Sequence, residues 1–316
     1  MKKRRNACFS LICFGILFVL LFQFFSMLIP FRDGRQGDVW QYIYDNKNTV
    51  SYLFLGSSHV YCGVNPMQIT DKTGKEAVLV SSGMQTLTET YYCMKEALKY
   101  QTPEIVYVDL YGAYKEFTET NYTNLDCVRL SLNKAKLVRE GFPGTRLIDG
   151  LFPLIREHSN WKDFDNLETN WEAMTKENPN YLFVRGFSGM DTVMSEEQYQ
   201  GIVNWEQDDT PITLREQDKK AIRNIIALGE KRGVRVQFIL IPWLDEFVQK
   251  INFGSFLKEI NEVTGGVLVL SQQEYRELGL SRDTFIEDKI SDNQHLNLKG
   301  AELYTNYLIE KTMEYN

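Results

Sequence analysis

Two short constellations carry residue types that can do chemistry together, one at each end of the polar part of the chain. The first is Leu53-Phe54-Leu55-Gly56-Ser57-Ser58-His59-Val60, an apolar run entering a glycine-serine turn. Gly56 permits a tight turn, and a serine at that handover projects from the carboxyl end of a strand. If a helical turn follows, its free N–H groups stabilise a developing oxyanion. On its own, Gly-Ser-Ser is more often a turn and helix cap. The second is Ser291-Asp292-Asn293-Gln294-His295-Leu296-Asn297-Leu298-Lys299-Gly300. Asp292 and His295 are three apart, so in a helical turn they share a side. A carboxylate can then hold one imidazole nitrogen while the other faces a nucleophile, the division of labour of a Ser-His-Asp triad. The competing reading is an Asx-type turn with a solvated histidine. The chain has only three histidines, which leaves few other bases. His59 neighbours Ser58 and cannot face it, so it reads as pocket lining, whereas His158, in Glu157-His158-Ser159, reads as a surface or lid residue.

These residues need a scaffold, and the hydrophobic pattern supplies one. Apolar strands are expected at Ser51–Leu55, Ala77–Val80, Glu104–Leu110, Val234–Ile241 and Gly266–Leu270. Helical spacing covers Thr86–Tyr100, Leu214–Arg232, Asp245–Glu262 and Leu298–Tyr315, with Gly233 as a stop signal. Short apolar strands alternating with helices imply a parallel sheet covered on both faces, with ligands at the strands' carboxyl ends. The stretch from Lys115 to Pro211 breaks this rhythm and reads as a mostly helical insertion projecting over that edge. Its Trp161, Trp171 and Trp205 could stack on sugar rings, but packing within the insertion's own small core is the more ordinary use of aromatics. Tyr181-Leu182-Phe183-Val184-Arg185-Gly186 offers Arg185 as a substrate-facing cation.

The chain has 316 residues, 43% of them hydrophobic and 24% charged, which is the make-up of a folded globular protein. The mean hydropathy of -0.32 excludes a polytopic membrane protein. It conceals one uncharged run, Ala7 to Pro30, behind Lys2, Lys3, Arg4 and Arg5. That run is long enough to cross a bilayer, and the basic cluster assigns its amino end to the cytoplasm. A cleaved signal peptide is the alternative, but no small-x-small site follows the run. Four of the 35 basic residues precede the run and all 42 acidic residues follow it, leaving 31 against 42 and a net charge of -11 beyond the membrane. Such an acidic domain argues against nucleic acid as a partner, because phosphate contacts need clustered cations. The expected organisation is a stub at 1–6, an anchor at 7–30, a juxtamembrane connector at 31–49 and a domain at 50–316, with the insertion at about 115–211.

Cys62, Cys93 and Cys127 are odd in number beyond the span, allow at most one disulfide there, and read best as buried apolar residues. No Cys/His spacing indicates a metal site, and no GxGxxG or P-loop follows a strand, so neither metal nor cofactor is expected. The sequon Asn121-Tyr122-Thr123 matters only in a eukaryotic secretory pathway.

Taken together, Gly56-Ser57-Ser58 after the first strand and Asp292-x-x-His295 before the last helix resemble the SGNH (GDSL-like) hydrolase superfamily. The resemblance implies a flavodoxin-like α/β/α three-layer sandwich around a parallel sheet. It implies Ser58 as nucleophile, His295 as base and Asp292 as the orienting acid. It also implies an oxyanion hole from the backbone N–H groups of Ser58 and Gly83, since Ser82-Gly83 stands where the family's second block has its glycine. Ser57 replaces the family's aspartate. The third block, Gly-x-Asn-Asp in the family, is Val108-Asp109-Leu110-Tyr111-Gly112 here and has no asparagine, so Gln85 is the candidate substitute donor.

A Gly-Ser-Ser first block behind a single span is similar to a membrane-anchored branch of that superfamily in the bacterial cell envelope. That branch includes the teichoic acid D-alanyl transfer protein and alginate O-acetylation proteins. By that resemblance the chain is an extracytoplasmic serine esterase or acyltransferase. It would act on acyl esters of a surface glycan or teichoic acid, alongside a membrane-bound acyltransferase. The alternative is a catalytically silent domain that binds a glycan or a partner in an envelope-modification complex.

Overall fold

The computed structural model describes residues 2–117, 119–175, 183–266, 276–288 and 294–313, apart from the side chains of 2–8 and 276. A helix, α1 (Lys2–Leu28), leads the chain, and its stretch Phe9–Leu28 is long and apolar enough to cross a membrane. None of that stretch is buried by the rest of the protein, which identifies it as something other than a core helix.

The expected connector is instead an integral part of the domain. Helix α2 (Gly34–Asp45) is capped by the Asp33 side chain, and its Val39, Trp40 and Ile43 are buried. Four parallel strands form the described sheet: β1 (Val50–Gly56), β2 (Glu76–Ser81), β3 (Ile105–Asp109) and β4 (Arg235–Ile239), in the order β2-β1-β3-β4. In-register partners such as Leu55 with Val80 and Val108 align their carboxyl ends. The near-unbroken burial of β1 and β3 is what a parallel sheet covered on both faces demands. The fifth strand expected at Gly266–Leu270 falls at 267–270, outside the described residues.

Between β1 and β2 lie α3 (Ser58–Gly63) and α4 (Pro66–Thr73), and between β2 and β3 lies α5 (Leu87–Ala97). After β3 a short helix, α6 (Tyr111–Tyr114), opens the insertion. The described residues of 115–211 include α7 (Thr123–Cys127), α8 (Leu132–Gly141), α9 (Leu147–Leu151), α10 (Pro153–Arg156), a 3-10 turn at His158–Lys162, α11 (Phe164–Thr175) and α12 (Glu196–Val203). The long helix α13 (Glu216–Arg232) then leads into β4. Helices α14 (Asp245–Val248) and α15 (Phe253–Thr264) split the single helix expected at Asp245–Glu262. The last helix is α16 (Leu298–Leu308), continued by a π-helical turn at Ile309–Met313. Helices α5 and α13 pack on each other, while α3, α4 and α16 form a separate group.

The insertion does not simply cap the carboxyl edge. Helix α8 lies along α5, and α11 lies against α1. Residues 184–187 run beside the outer edge of β2, where the Leu79 N–H donates to the Arg185 carbonyl at 2.9 Å. On the same edge the Gln36 amide donates to the Leu79 carbonyl at 3.2 Å. An open strand edge is thus closed by irregular chain and one buried glutamine. Nor do the insertion's tryptophans form a core of their own. Trp161, Trp171 and Trp205 are 55%, 49% and 42% exposed, and Trp205 stacks on Phe247 of α14, with ring centroids 5.8 Å apart.

Candidate active site

Strand β1 delivers its last residue, Gly56, into a crowded corner. A Cβ there would lie 2.7 Å from Val60 Cγ2 and 2.8 Å from Asp109 Cβ, so only glycine fits. The chain then turns through Ser57 into α3, with Ser58 as the first helical residue. The Ser58 N–H therefore sits at a helix N-terminus, where no intrahelical acceptor exists. Ser58 is half-buried, and its hydroxyl is turned toward the last segment of the chain.

That segment brings in His295. Its Nε2 lies 2.7 Å from Ser58 Oγ, and its Nδ1 lies 2.9 Å from Asp288 Oδ2. A carboxylate only accepts, so Nδ1 carries the proton and Nε2 accepts from the serine. Asp288, seven residues before His295, takes the position assigned above to Asp292, and Asp292 lies outside the described residues. Backbone pairing explains the spacing. The Ile286 N–H donates to the His295 carbonyl, and Phe285 bridges Leu296 in antiparallel fashion. An extended arm at 285–288 therefore runs beside the histidine. The insertion braces the arm: Gln198 of α12 accepts from the Asp288 N–H at 2.9 Å, and Glu287 accepts from the Ser195 hydroxyl at 2.8 Å. Asn297 locks the far side by capping α16 and donating to the Asp283 and Thr192 carbonyls.

The turn after β2 supplies the opposite wall. Gly83 lies there beside Met84, which is held at a φ of 57°, a costly conformation for a side-chain-bearing residue. A Cβ on Gly83 would lie 3.2 Å from Asn121 Nδ2 and 3.9 Å from the Tyr61 hydroxyl. Burial pushes the Tyr61 phenol up to about 12, with the Ser58 hydroxyl acting in the opposite sense, so it stays protonated. Arg35 stacks over the Tyr61 ring at 4.3 Å and donates to the Gly186 carbonyl at 2.7 Å. Tyr61 and Asn121 thus both stand against Gly83.

Gln85 does not join them as a donor. Its Nε2 donates to Thr90 Oγ1 at 3.0 Å, and its Oε1 accepts from Asn124 Nδ2 at 2.7 Å. Asn124 Oδ1 accepts from Trp40 Nε1 at 2.9 Å. This buried relay ties α2, α7 and α5 to the turn that presents Gly83, which makes Gln85 a scaffold residue.

His59 lies beneath the site rather than lining it. It is fully buried, stacked on Tyr111 at 3.7 Å and tilted against His295 at 4.7 Å. Burial, with His295 alongside, pushes its pKa well below the ordinary value, so it is a neutral support for the His295 ring. Asp109 closes the floor and accepts from the N–H groups of Ile241 and Tyr111, both at 3.3 Å. Burial lifts its carboxyl to about 7 against those donors. Arg185 is remote from this edge: it pairs with Glu76, the first residue of β2, and so points to the amino end of the sheet. His158 is exposed on its 3-10 turn.

Asp288, Tyr61 and Asn121 are the site residues that sequence reasoning missed. Asn121 was visible only as part of a sequon, and Asp288 is identified by a backbone register that no local spacing reveals. Among the described residues no cluster of His, Cys, Asp or Glu could hold a metal ion, and Cys62, Cys93 and Cys127 are unbridged. No protein-family model matches the chain, and no curated protein matches it either.

Proposed function

We propose that the chain is a membrane-anchored serine esterase or acyltransferase of SGNH type, acting on acyl esters of a cell-envelope glycan or teichoic acid. The single observation that carries this reading is the hydrogen-bonded series Ser58–His295–Asp288 at the carboxyl end of β1. Ser58 Oγ attacks the ester carbonyl carbon as His295 Nε2 takes its proton. Asp288 holds the Nδ1–H tautomer and stabilises the imidazolium that forms. The Ser58 and Gly83 N–H groups, with Asn121 Nδ2, surround the oxyanion. Collapse breaks the ester C–O bond, and His295 returns the proton to the leaving alcohol. A water or a glycan hydroxyl then gives its proton to His295 and takes the acyl group from Ser58.

The strand order β2-β1-β3-β4, with two helix groups, supports a flavodoxin-like sandwich. Lys2 to Arg5 ahead of α1 support a cytoplasmic amino terminus and an extracytoplasmic site. A membrane-bound acyltransferase remains the natural source of acyl groups under this reading. The rival, a catalytically silent binding domain, rested on the missing asparagine, and Asn121 beside Gly83 weakens it. A fluorophosphonate probe tests the proposal directly on the full chain. It labels the wild type and not Ser58→Ala; equal labelling of both, or of neither, refutes Ser58 as nucleophile. Acyl-group analysis of envelope polymers from a Ser58→Ala strain then identifies the ester concerned.

A further inference from the structure

The carboxyl end of α1 is built into the insertion. Asn170 Nδ2 donates to the Leu28 and Pro30 carbonyls, both at 2.9 Å, and Asn166 Nδ2 donates to the Ile29 carbonyl at 2.9 Å. The Phe31 N–H donates to Glu157 Oε2 at 2.7 Å. Phe152 meets Phe22 edge to face, with ring centroids 5.7 Å apart. Phe22 precedes Leu28 by six residues, which at the helical rise is about 9 Å along the axis. If Phe9–Leu28 crosses a bilayer, Phe152 stands inside that bilayer's outer layer rather than above it.

The same region carries exposed aromatics, one of them, Trp161, under the Lys162 ammonium at 5.4 Å. Trp161 is 55% exposed, Phe164 76% and Trp171 49%. Phe164 and Trp171 are seven residues apart and share one side of α11. Asn166 and Asn170, which grip α1, are centred about 130° round the helix from the aromatics, so the aromatics project away from the α1 contact side. Glu168 stands one turn from both Phe164 and Trp171, so its carboxylate must reach out to the headgroup layer, while Asp165 and Glu172 lie further round the helix. Tryptophan at this depth is the usual occupant of a membrane interface.

We propose that α9–α11 lies in the interfacial layer of the membrane that α1 crosses, with Trp161, Phe164 and Trp171 inserted among the lipids. The contact is apolar, since the helix that makes it is acidic. It depends on α1 spanning a bilayer and is independent of the chemistry at Ser58.

The full chain in nanodiscs of phosphatidylcholine brominated on its acyl chains gives the test. Two of the five tryptophans lie on the proposed face, while Trp40 and Trp243 are buried in the domain. Wild-type emission should fall by about a third relative to unbrominated nanodiscs. The Trp161→Phe/Trp171→Phe double variant should show almost none of that loss. Both positions are exposed and the changes conservative, so the variant folds. Unquenched wild-type emission overturns the proposal, and so does equal quenching of the wild type and the double variant. Neither readout depends on ester turnover.

Discussion

Asp288→Asn is the sharpest perturbation of the site. The asparagine amide can donate to His295 Nδ1, which forces the imidazole proton onto Nε2. Nε2 then donates to Ser58 Oγ instead of accepting from it. In the native site the carboxylate stands 2.9 Å from Nδ1, about 4 Å from the centre of the imidazolium charge formed during attack. At an effective dielectric near 20, suited to a site whose Asp288 side chain is 15% exposed, that attraction is about 4 kcal/mol. This alone lowers the acylation rate roughly a thousandfold. The wrong tautomer adds to it, so the expected loss in kcat/KM is about a thousandfold to ten-thousandfold. Hydrolysis of p-nitrophenyl acetate measures it, and the second-order rate of fluorophosphonate labelling gives an independent reading of the same step. Asp292→Asn should stay within a few-fold of wild type, because Asp288 already occupies Nδ1. A variant at Asp288 retaining more than about a tenth of wild-type kcat/KM would refute the reasoning, since the tautomer would then carry under about 1.4 kcal/mol. A large loss at Asp292 with a mild one at Asp288 would refute it equally.

Asn121→Ala should lower kcat roughly a hundredfold with little change in KM or melting temperature, as expected for a donor engaged only in the transition state; a KM effect alone would contradict that role. Gly56→Ala forces a methyl into contacts of 2.7 and 2.8 Å and should destabilise the chain by about 1–3 kcal/mol or more, read as a lower denaturation midpoint. Burial lifts Glu89 to about 8 and Asp109 to about 7, so the folded chain holds protons that the unfolded chain has released above about pH 4. The contribution of these two groups to stability is therefore greatest below that pH, falls as pH rises, and levels off above about pH 8. Glu89→Gln should flatten the slope, with an advantage over wild type that grows from pH 5 to pH 8 to a ceiling of about 4 kcal/mol; equal melting differences at both pH values would contradict it.

Much of the scaffold was legible because it rests on local pattern. The buried runs at 50–56, 76–81 and 105–109 are continuous apolar segments, and the α13 stop at Gly233 is a left-handed cap that its sequence announces. Ser58 and His295 were legible because each follows or precedes an element boundary. What failed to show depends on distant partners. Asp288 is placed by a backbone bond between Ile286 and His295 and by Gln198 from the insertion. Asn121 reaches Gly83 only because the Trp40–Asn124–Gln85 relay fixes α7 over the turn. Arg185 misled because its charge is visible in sequence, while its pairing with Glu76 at the opposite end of the sheet is not.

The closure of β2 by Arg185 sets an order on assembly. As the chain emerges from its amino end, β1 and β2 pair early, yet the outer edge of β2 stays open until residue 185 arrives. The free edge of β3 waits longer still, for β4 at Arg235. Two unpaired edges on a growing polypeptide are sticky surfaces, and the interval is about a hundred residues of synthesis or more. Ser58 and His295 are separated by 237 positions, so the nucleophile has no base until nearly the whole described domain is out. A nascent chain paused in transit therefore holds Ser58 apart from His295, and it needs protection against strand-to-strand association well before the two can meet.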